Sequence, residues 1–416
     1  MRILFVTPHP PSRIRVRSYG FLTQLKRAHD VTLVTQCVSE KEWADVERLR
    51  DQGFEVVAVQ ESRRQAIART GLALLGSQPL QVAYAHSERL AQTVLRLCRE
   101  RVFDIIHVEH LRGIASLDTI DLPYPLVWDA VDCISLLFKH TMTAGPSLSV
   151  RSIARIEQKR TGAYESGILK RLSYVAVTSE HDRDAMVVLK RRGASSTTGS
   201  YELSDRGISV VPNGVDLEYF HPTQVECRRY NVVFSGKMSY HANIATALYL
   251  RARVMPLIWQ EQPDATLTIV GSSPPKAVQR MAEDPRVEVT GFVEDLRPYI
   301  QRAHVMLSPM VYSVGIQNKA LEAMALGTPV VIAKQAADAL SAQHGRDLFV
   351  AETPREFANF ALRLMHDEQL YASMSRSGRA YVEQQHDWRM LTDSLSRLYE
   401  QAISAHLPAQ SMLSHV

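Results

Sequence analysis

A chain of 416 residues is too long to fold around one ordinary core, so two domains are expected. With 45% hydrophobic and 22% charged residues it has a soluble globular composition, and no run approaches the ~18 consecutive apolar residues of a membrane span. The net charge of +4 is modest and lies in roughly the first 225 residues, a basic bias suited to a lipid phosphate, a membrane surface or a nucleic acid.

The N-terminal stretch Met1–Pro8 is a strand ending in prolines, too short for the apolar region of a secretion signal. Cys37, Cys98, Cys133 and Cys227 have neither metal nor redox spacing and read as buried, reduced thiols. A cytoplasmic protein is the expectation, with peripheral contact to the inner membrane face left open.

The first half alternates strands with helical patterns. Ile3–Thr7 is a strand, Tyr19–Ala28 a helix, and Val31–Thr35 the next strand. Val56–Val59, Ile105–Val108, Leu126–Trp128 and Tyr174–Thr178 are further strands. This is a doubly wound α/β pattern, whose ligands bind beyond the carboxyl ends of the strands. A turn at Pro212-Asn213-Gly214 precedes a boundary near 216–229. A second series follows: strand Asn231–Ser235, helix Ile244–Met255, and strands Thr266–Val270, Val287–Thr290 and His304–Ser308. Arg355–His366, Gln369–Gln384 and the amphipathic Trp388–Ile403 are helices, and the tail from about His406 reads as disordered. The predicted domains are 1–218, 228–385 and a final helix, 386–405.

Several stretches at strand ends carry candidate chemistry, each with a plainer reading beside it. Arg13, Arg15 and Arg17 alternate after the first strand and face either an acceptor or solvent. His107 lies within a strand and reads as structural, whereas Glu109 and His110 fall at its end. Asp182-Arg183-Asp184 opens a helix, where capping explains it better than a metal does, and no metal is expected. Gly71-Leu72-Ala73-Leu74-Leu75 seals the core or touches a membrane, and the basic helix around Arg151–Leu172 is a solvated face or a membrane contact. Gly236 and Lys237 end a strand, where glycine admits close backbone approach and lysine can neutralise a diphosphate. Gly291-Phe292-Val293 is a turn after a strand.

The stretch Gly315-Ile316-Gln317-Asn318-Lys319-Ala320-Leu321-Glu322-Ala323-Met324-Ala325-Leu326-Gly327-Thr328-Pro329-Val330-Val331 reads as loop, short helix, turn and buried strand. Its helix N-terminus suits a phosphate, with Lys319 as a point charge and Glu322 one turn on as an acceptor for hydroxyls. An ordinary crossover with Glu322 on a solvated face is the other reading.

Leu321 through Val331 resembles the nucleotide-sugar signature of family-four retaining glycosyltransferases of the GT-B fold, and Pro212–Asp216 matches a second element of that family. The resemblance implies two Rossmann-like domains facing across a cleft, with the last helix crossing back onto the first. It implies that Glu322 holds the donor ribose and that Gly236 and Lys237 serve the diphosphate, with Lys319 expected to supply the second charge in place of a family lysine. Gly291, Phe292 and Val293 match the loop that meets the base, and Gly315, Ile316, Gln317 and Asn318 the loop before the signature helix. The family places a histidine against the transferred sugar, a match that falls on His110 or Glu109. Lys237, His110 and Glu109 are thus the catalytic candidates, and Arg13, Arg15 and Arg17 the acceptor candidates.

Two departures stand out. Val314 occupies the position of a second family glutamate, and the family's lysine shortly after Lys237 is missing from Ser239–Asn243. Gly-Ile-Gln-Asn-Lys is similar to a subgroup associated with exopolysaccharide assembly. Expected partners are a nucleotide sugar and a glycan or lipid-linked acceptor, with no nucleic acid and no cofactor. The alternatives are a nucleotide-sugar epimerase and a non-catalytic partner of a polysaccharide machine.

Overall fold

The computed structural model describes residues 1–144, 148–192, 207–223, 225, 228–310 and 316–413. The chain divides into two compact units, Met1–Asn213 with Trp388–Val416, and Gly214–Asp387. Each unit is built on one parallel sheet with helices on both faces.

In the first unit the strands are β1 (Arg2–Thr7), β2 (Asp30–Cys37), β3 (Glu55–Gln60), β4 (Ile105–Glu109), β5 (Leu126–Val131), β6 (Tyr174–Val177) and β7 (Ile208–Val210). They lie in the order β3-β2-β1-β4-β5-β6-β7. In the second unit they are β8 (Asn231–Ser235), β9 (Thr266–Val270), β10 (Val287–Val289), β11 (Val305–Ser308), β12 (Val330–Ala333) and β13 (Phe349–Ala351), ordered β10-β9-β8-β11-β12-β13. Every pair is parallel. Continuous apolar runs such as Ile3-Leu4-Phe5-Val6 are fully buried because helices cover both faces of the sheet. In both units the order reverses direction at one point, between β1 and β4 and between β8 and β11. The doubly wound expectation holds for both halves.

Two helices run further than their sequence pattern suggested, and one motif takes the capping role expected of it. The helix ending at Met255 by pattern runs on to Glu261, because a π-turn at Leu250–Val254 absorbs the backbone donor that Pro256 lacks. The last helix extends to Leu413, past the expected disorder at His406. Asp182 caps rather than binds: its carboxylate accepts from the Cys133 N–H at 2.9 Å and from the Ser179 hydroxyl, while its own N–H donates to Ser179 Oγ at 3.1 Å. Among the described residues no group of three or more His, Cys, Asp or Glu side chains could hold a metal ion. Nor is any described helix long and apolar enough to cross a membrane.

The last helix belongs to the first unit through Trp388, Leu391, Leu395, Leu398 and Tyr399, all buried with β1, β2 and the helix Val16–Leu25. Trp388 packs edge-on to Phe21 with ring centroids 5.0 Å apart. It lies directly on Gly20, where an added Cβ would sit 2.3 Å from the indole. Gly20→Ala should therefore lower unfolding stability by about 1–3 kcal/mol through overpacking. Gly71→Ala, near the end of the helix Arg63–Ala73 and with nothing within 4 Å of the new methyl, should be neutral or mildly stabilising. Denaturant melts of the two variants would separate the cases.

Candidate active site

The reversal between β8 and β11 places the carboxyl ends of two strands side by side with their connections leaving in opposite directions, which opens a crevice beyond them. β8 ends at Ser235 and hands over to Gly236-Lys237. The helix Asn318–Ala325 follows β11 and starts at the same end of the sheet. Its terminus is closed by a Schellman arrangement: the Thr328 N–H donates to the Ala323 carbonyl at 2.9 Å and the Gly327 N–H to Met324 at 3.0 Å, with Gly327 at φ +76°.

Two glycines allow the crevice to be lined so closely. A Cβ on Gly271, just after β9, would sit 1.8 Å from the Gly236 carbonyl oxygen, and one on Gly236 would meet Asn243 Nδ2 at 2.7 Å. Asn243, in the first turn of the helix His241–Tyr249, is buried and works in two directions. Its Nδ2 donates to the Lys237 carbonyl at 3.0 Å, and its Oδ1 accepts from Lys319 Nζ at 2.7 Å. Lys319 also lies over the Phe234 ring, 4.5 Å from the centroid. The lysine from one side of the crevice is thus tied to the loop from the other.

Burial pushes the Lys319 ammonium down to about 8, with Glu322 pulling the other way. Burial pushes the Glu322 carboxyl up to about 7, partly offset by Lys319. No described group hydrogen-bonds to the Glu322 carboxylate, and no described carboxylate pairs with the exposed Lys237. A partly desolvated carboxylate and two cations with no described carboxylate in ion-pair contact therefore border one crevice.

The other donor candidates are placed less closely. Ile316 is buried in the core, so only its backbone faces the crevice end. Gln317 is the cap residue of the signature helix without a side-chain capping bond, and Asn318 is its first residue. Gly291, at φ +70° in open space, and the exposed Phe292 follow β10, two strands from β8, while Val293 packs on the core. Gly315 and Val314 lie outside the described residues.

In the first unit the corresponding reversal sets β1 beside β4. Glu109 is the last residue of β4 and pairs in register with Asp129 of β5. Burial, reinforced by Asp129, raises its carboxyl to about 8. His110 adopts φ +65°, a left-handed conformation uncommon outside glycine. Its Nδ1 accepts the Arg112 N–H at 3.1 Å, which leaves the proton on Nε2. Burial lowers its pKa to about 3, keeping the ring neutral. His107 is fully buried, stacked on Phe5 and hydrogen-bonded to the Tyr399 hydroxyl at 2.8 Å, a structural histidine.

Arg17 requires a correction, since it faces neither acceptor nor solvent. It is buried in a bidentate pair with Asp129, at 2.7 and 2.8 Å, and donates to the Val211 and Pro212 carbonyls and Asn213 Oδ1. Five donors in a rigid fork suit such a site, and it fixes the Pro-Asn-Gly turn. Arg15 is half-buried and bound to Glu42 at 2.8 Å and to the Pro10 carbonyl at 3.0 Å, which closes its loop on itself. Arg13 is exposed.

Comparison with known proteins fits this geometry. Residues 229–367 match the family Glycosyl transferases group 1. It is 23% identical over 314 residues to an MMP α-(1→4)-mannosyltransferase of Mycolicibacterium hassiacum, covering 73% of this chain and 71% of that one. It is 25% identical over 148 residues, 34% of this chain, to a glycosyltransferase 1 domain-containing protein of Xenopus tropicalis, and the match spans only 43% of the frog protein. In three dimensions it is similar to Anabaena Alr3699/HepE, crystallised with UDP, with a TM-score of 0.65 at 16% identity over 96% of this chain and 100% of that one. The fold is therefore GT-B.

Asn243, Gly271 and Asp129 were not singled out from the sequence. Asn243 stands in the stretch where the family's lysine is missing, and only its contact with Lys319 gives it a role. Asn243→Asp should set a carboxylate against Lys319 and raise its pKa from about 8 toward the ordinary lysine range, a change that side-chain NMR would follow.

Proposed function

We propose that the chain transfers a sugar from a nucleoside-diphosphate sugar to an acceptor hydroxyl with retention of configuration, in the assembly of an exopolysaccharide or other cell-surface glycan. The observation that carries this is the crevice at the β8–β11 reversal, which Lys237, Lys319 and Glu322 border and where no described carboxylate forms an ion pair with either lysine. Gly236 and the Asn318 end of the signature helix approach the diphosphate, Lys237 and Lys319 neutralise it, and Glu322 accepts the ribose hydroxyls. The Gly291–Val293 turn, two strands away, meets the base. UDP and UDP-glucose are the ligands crystallised with the Anabaena protein, and a uridine donor is the first to try.

The first unit receives the acceptor, a glycan or lipid-linked saccharide met at the cytoplasmic membrane face. Of this unit, His110, with its proton on Nε2, and Glu109, protonated at neutral pH, are the groups assigned to the sugars. Arg13 stays as the acceptor-facing arginine. The acceptor hydroxyl attacks from the face that the diphosphate leaves, and the departing phosphate takes its proton. The protein supplies positive charge and orientation rather than a strong base.

The experiment is a thermal-shift screen of nucleoside diphosphates and their sugars, followed by turnover of the stabilising donor with and without acceptor. Stabilisation by one base with acceptor-dependent turnover is expected. Turnover of donor alone to an isomer would make it an epimerase, and binding without turnover a non-catalytic partner.

Two variants test the site. Lys319→Ala should weaken donor binding by about 1.5–3 kcal/mol, on the order of ten- to a hundredfold, and unchanged affinity would remove Lys319 from the diphosphate. The donor should bind best when Glu322 is ionised and Lys319 charged, that is, between about 7 and about 8. The signs in the free protein run the other way. The raised Glu322 contributes stability that is lost as pH climbs through about 7, and the depressed Lys319 contributes stability lost as pH falls through about 8. A bell-shaped kcat/KM profile is expected, with Glu322→Gln abolishing its acid limb and Lys319→Arg displacing its alkaline limb upward.

A further inference from the structure

We propose that one face of the first unit, made by residues 63–76 and the N-terminal half of the helix Leu148–Arg171, docks on an anionic lipid surface. It gives a place on the molecule to the membrane contact read above, and its test needs no sugar transfer, so either can fail alone.

Single exposed hydrophobics are ordinary, but a cluster is not. Eight of the sixteen exposed large hydrophobic side chains among the described residues fall within 67–75 and 148–156. Leu72, Leu74 and Leu75 do not seal the core, as one reading of the sequence had it. Leu75 is 93% exposed, and Leu148 in the long helix is 81% exposed.

The two segments form one surface. Arg160 Nη2 donates to the Leu74 carbonyl at 3.1 Å, and Glu157 Oε2 accepts the Leu80 N–H at 2.8 Å. These bonds pin the apolar tip beyond the helix Arg63–Ala73 against the long helix. Ile153 and Ile156 lie three and seven residues along from one another and Arg160 on one helical face, which therefore leads directly to Leu74. The adjoining face, with Ala154, Glu157 and Thr161, is buried.

Charge decides the occupant. The exposed ionisable groups over 63–76 and 148–160 are Arg63, Arg64, Arg151, Arg155 and Lys159, all cationic. The one acid within those spans, Glu157, is buried and bound to Leu80 and Arg160. Exposed leucine and isoleucine ringed by arginine and lysine, with no exposed carboxylate, match a bilayer interface. There the apolar side chains enter the acyl boundary and each cation near the anionic headgroups contributes about fivefold.

The full chain should co-sediment with vesicles of phosphatidylglycerol and phosphatidylcholine, hardly with phosphatidylcholine alone, and less as salt is raised. Leu75→Glu with Ile153→Glu, both at exposed positions and so harmless to folding, should weaken vesicle binding by roughly tenfold or more while the melting temperature stays unchanged. Arg64→Gln with Arg155→Gln should weaken it to a similar degree. Three outcomes would overturn the proposal. These are no binding to anionic vesicles by the parent chain, binding that survives the glutamate pair, or a dimer in solution that the glutamate pair dissociates. The last would make the face a contact between copies.

Discussion

Two parallel strands whose connections depart in opposite directions cannot close the space beyond their carboxyl ends, and the chemistry of each unit depends on that opening. In the second unit the gap between β8 and β11 is kept narrow by glycine. Gly271 lets the Gly236 carbonyl come close, and Gly236 in turn lets Asn243 come close. Asn243 then spans the opening, holding the Lys237 carbonyl with one end of its amide and the Lys319 ammonium with the other. A side chain at either glycine would force this series apart at its first link.

The free protein sustains an electrostatic cost for this arrangement. Lys319 is pulled down and Glu322 up because both have lost water without gaining a strong partner. Strained charges of this kind mark a candidate ligand site, and the proposed donor would supply a diphosphate for the ammonium and hydroxyls for the carboxylate. The first unit holds a comparable strain in another form. His110 sits at a left-handed backbone position worth on the order of 1–3 kcal/mol, directly at the end of β4. Its Nδ1 is engaged by the Arg112 N–H, so the proton sits on Nε2.

Much of this was legible in the sequence. The alternation of apolar runs with helical patterns predicted both sheets, because strands covered on two faces must be apolar throughout. Gly327 and Pro329 marked the end of the signature helix for reasons that Schellman geometry bears out. What was not legible depended on long-range partners. Arg17 looked like one of three surface arginines, yet its partners Asp129 and Val211 lie more than 100 residues away. Asn243 was hidden for the same reason: its role is a contact with residue 319. The π-turn before Pro256 escaped because proline is read locally as a stop, and a one-residue shift of the hydrogen-bond pattern can absorb it.

Charge count and charge placement give different answers, and the difference is informative. The excess of positive charge lies in the first half of the sequence, which taken alone would put the anion site there. At the β1–β4 end, however, the arginines are matched: Arg17 by Asp129 and Arg15 by Glu42. Beside the end of β8, Lys237 and Lys319 form no ion pair with a described carboxylate, in the half whose total charge is balanced. The first unit carries its surplus instead on the outer face of the helices over 63–76 and 148–160, among exposed leucine and isoleucine. A small anion is gripped by a few desolvated cations in a crevice, whereas a charged surface is met by many solvated ones spread over apolar ground. The two charge distributions in this chain suit the two kinds of partner proposed above.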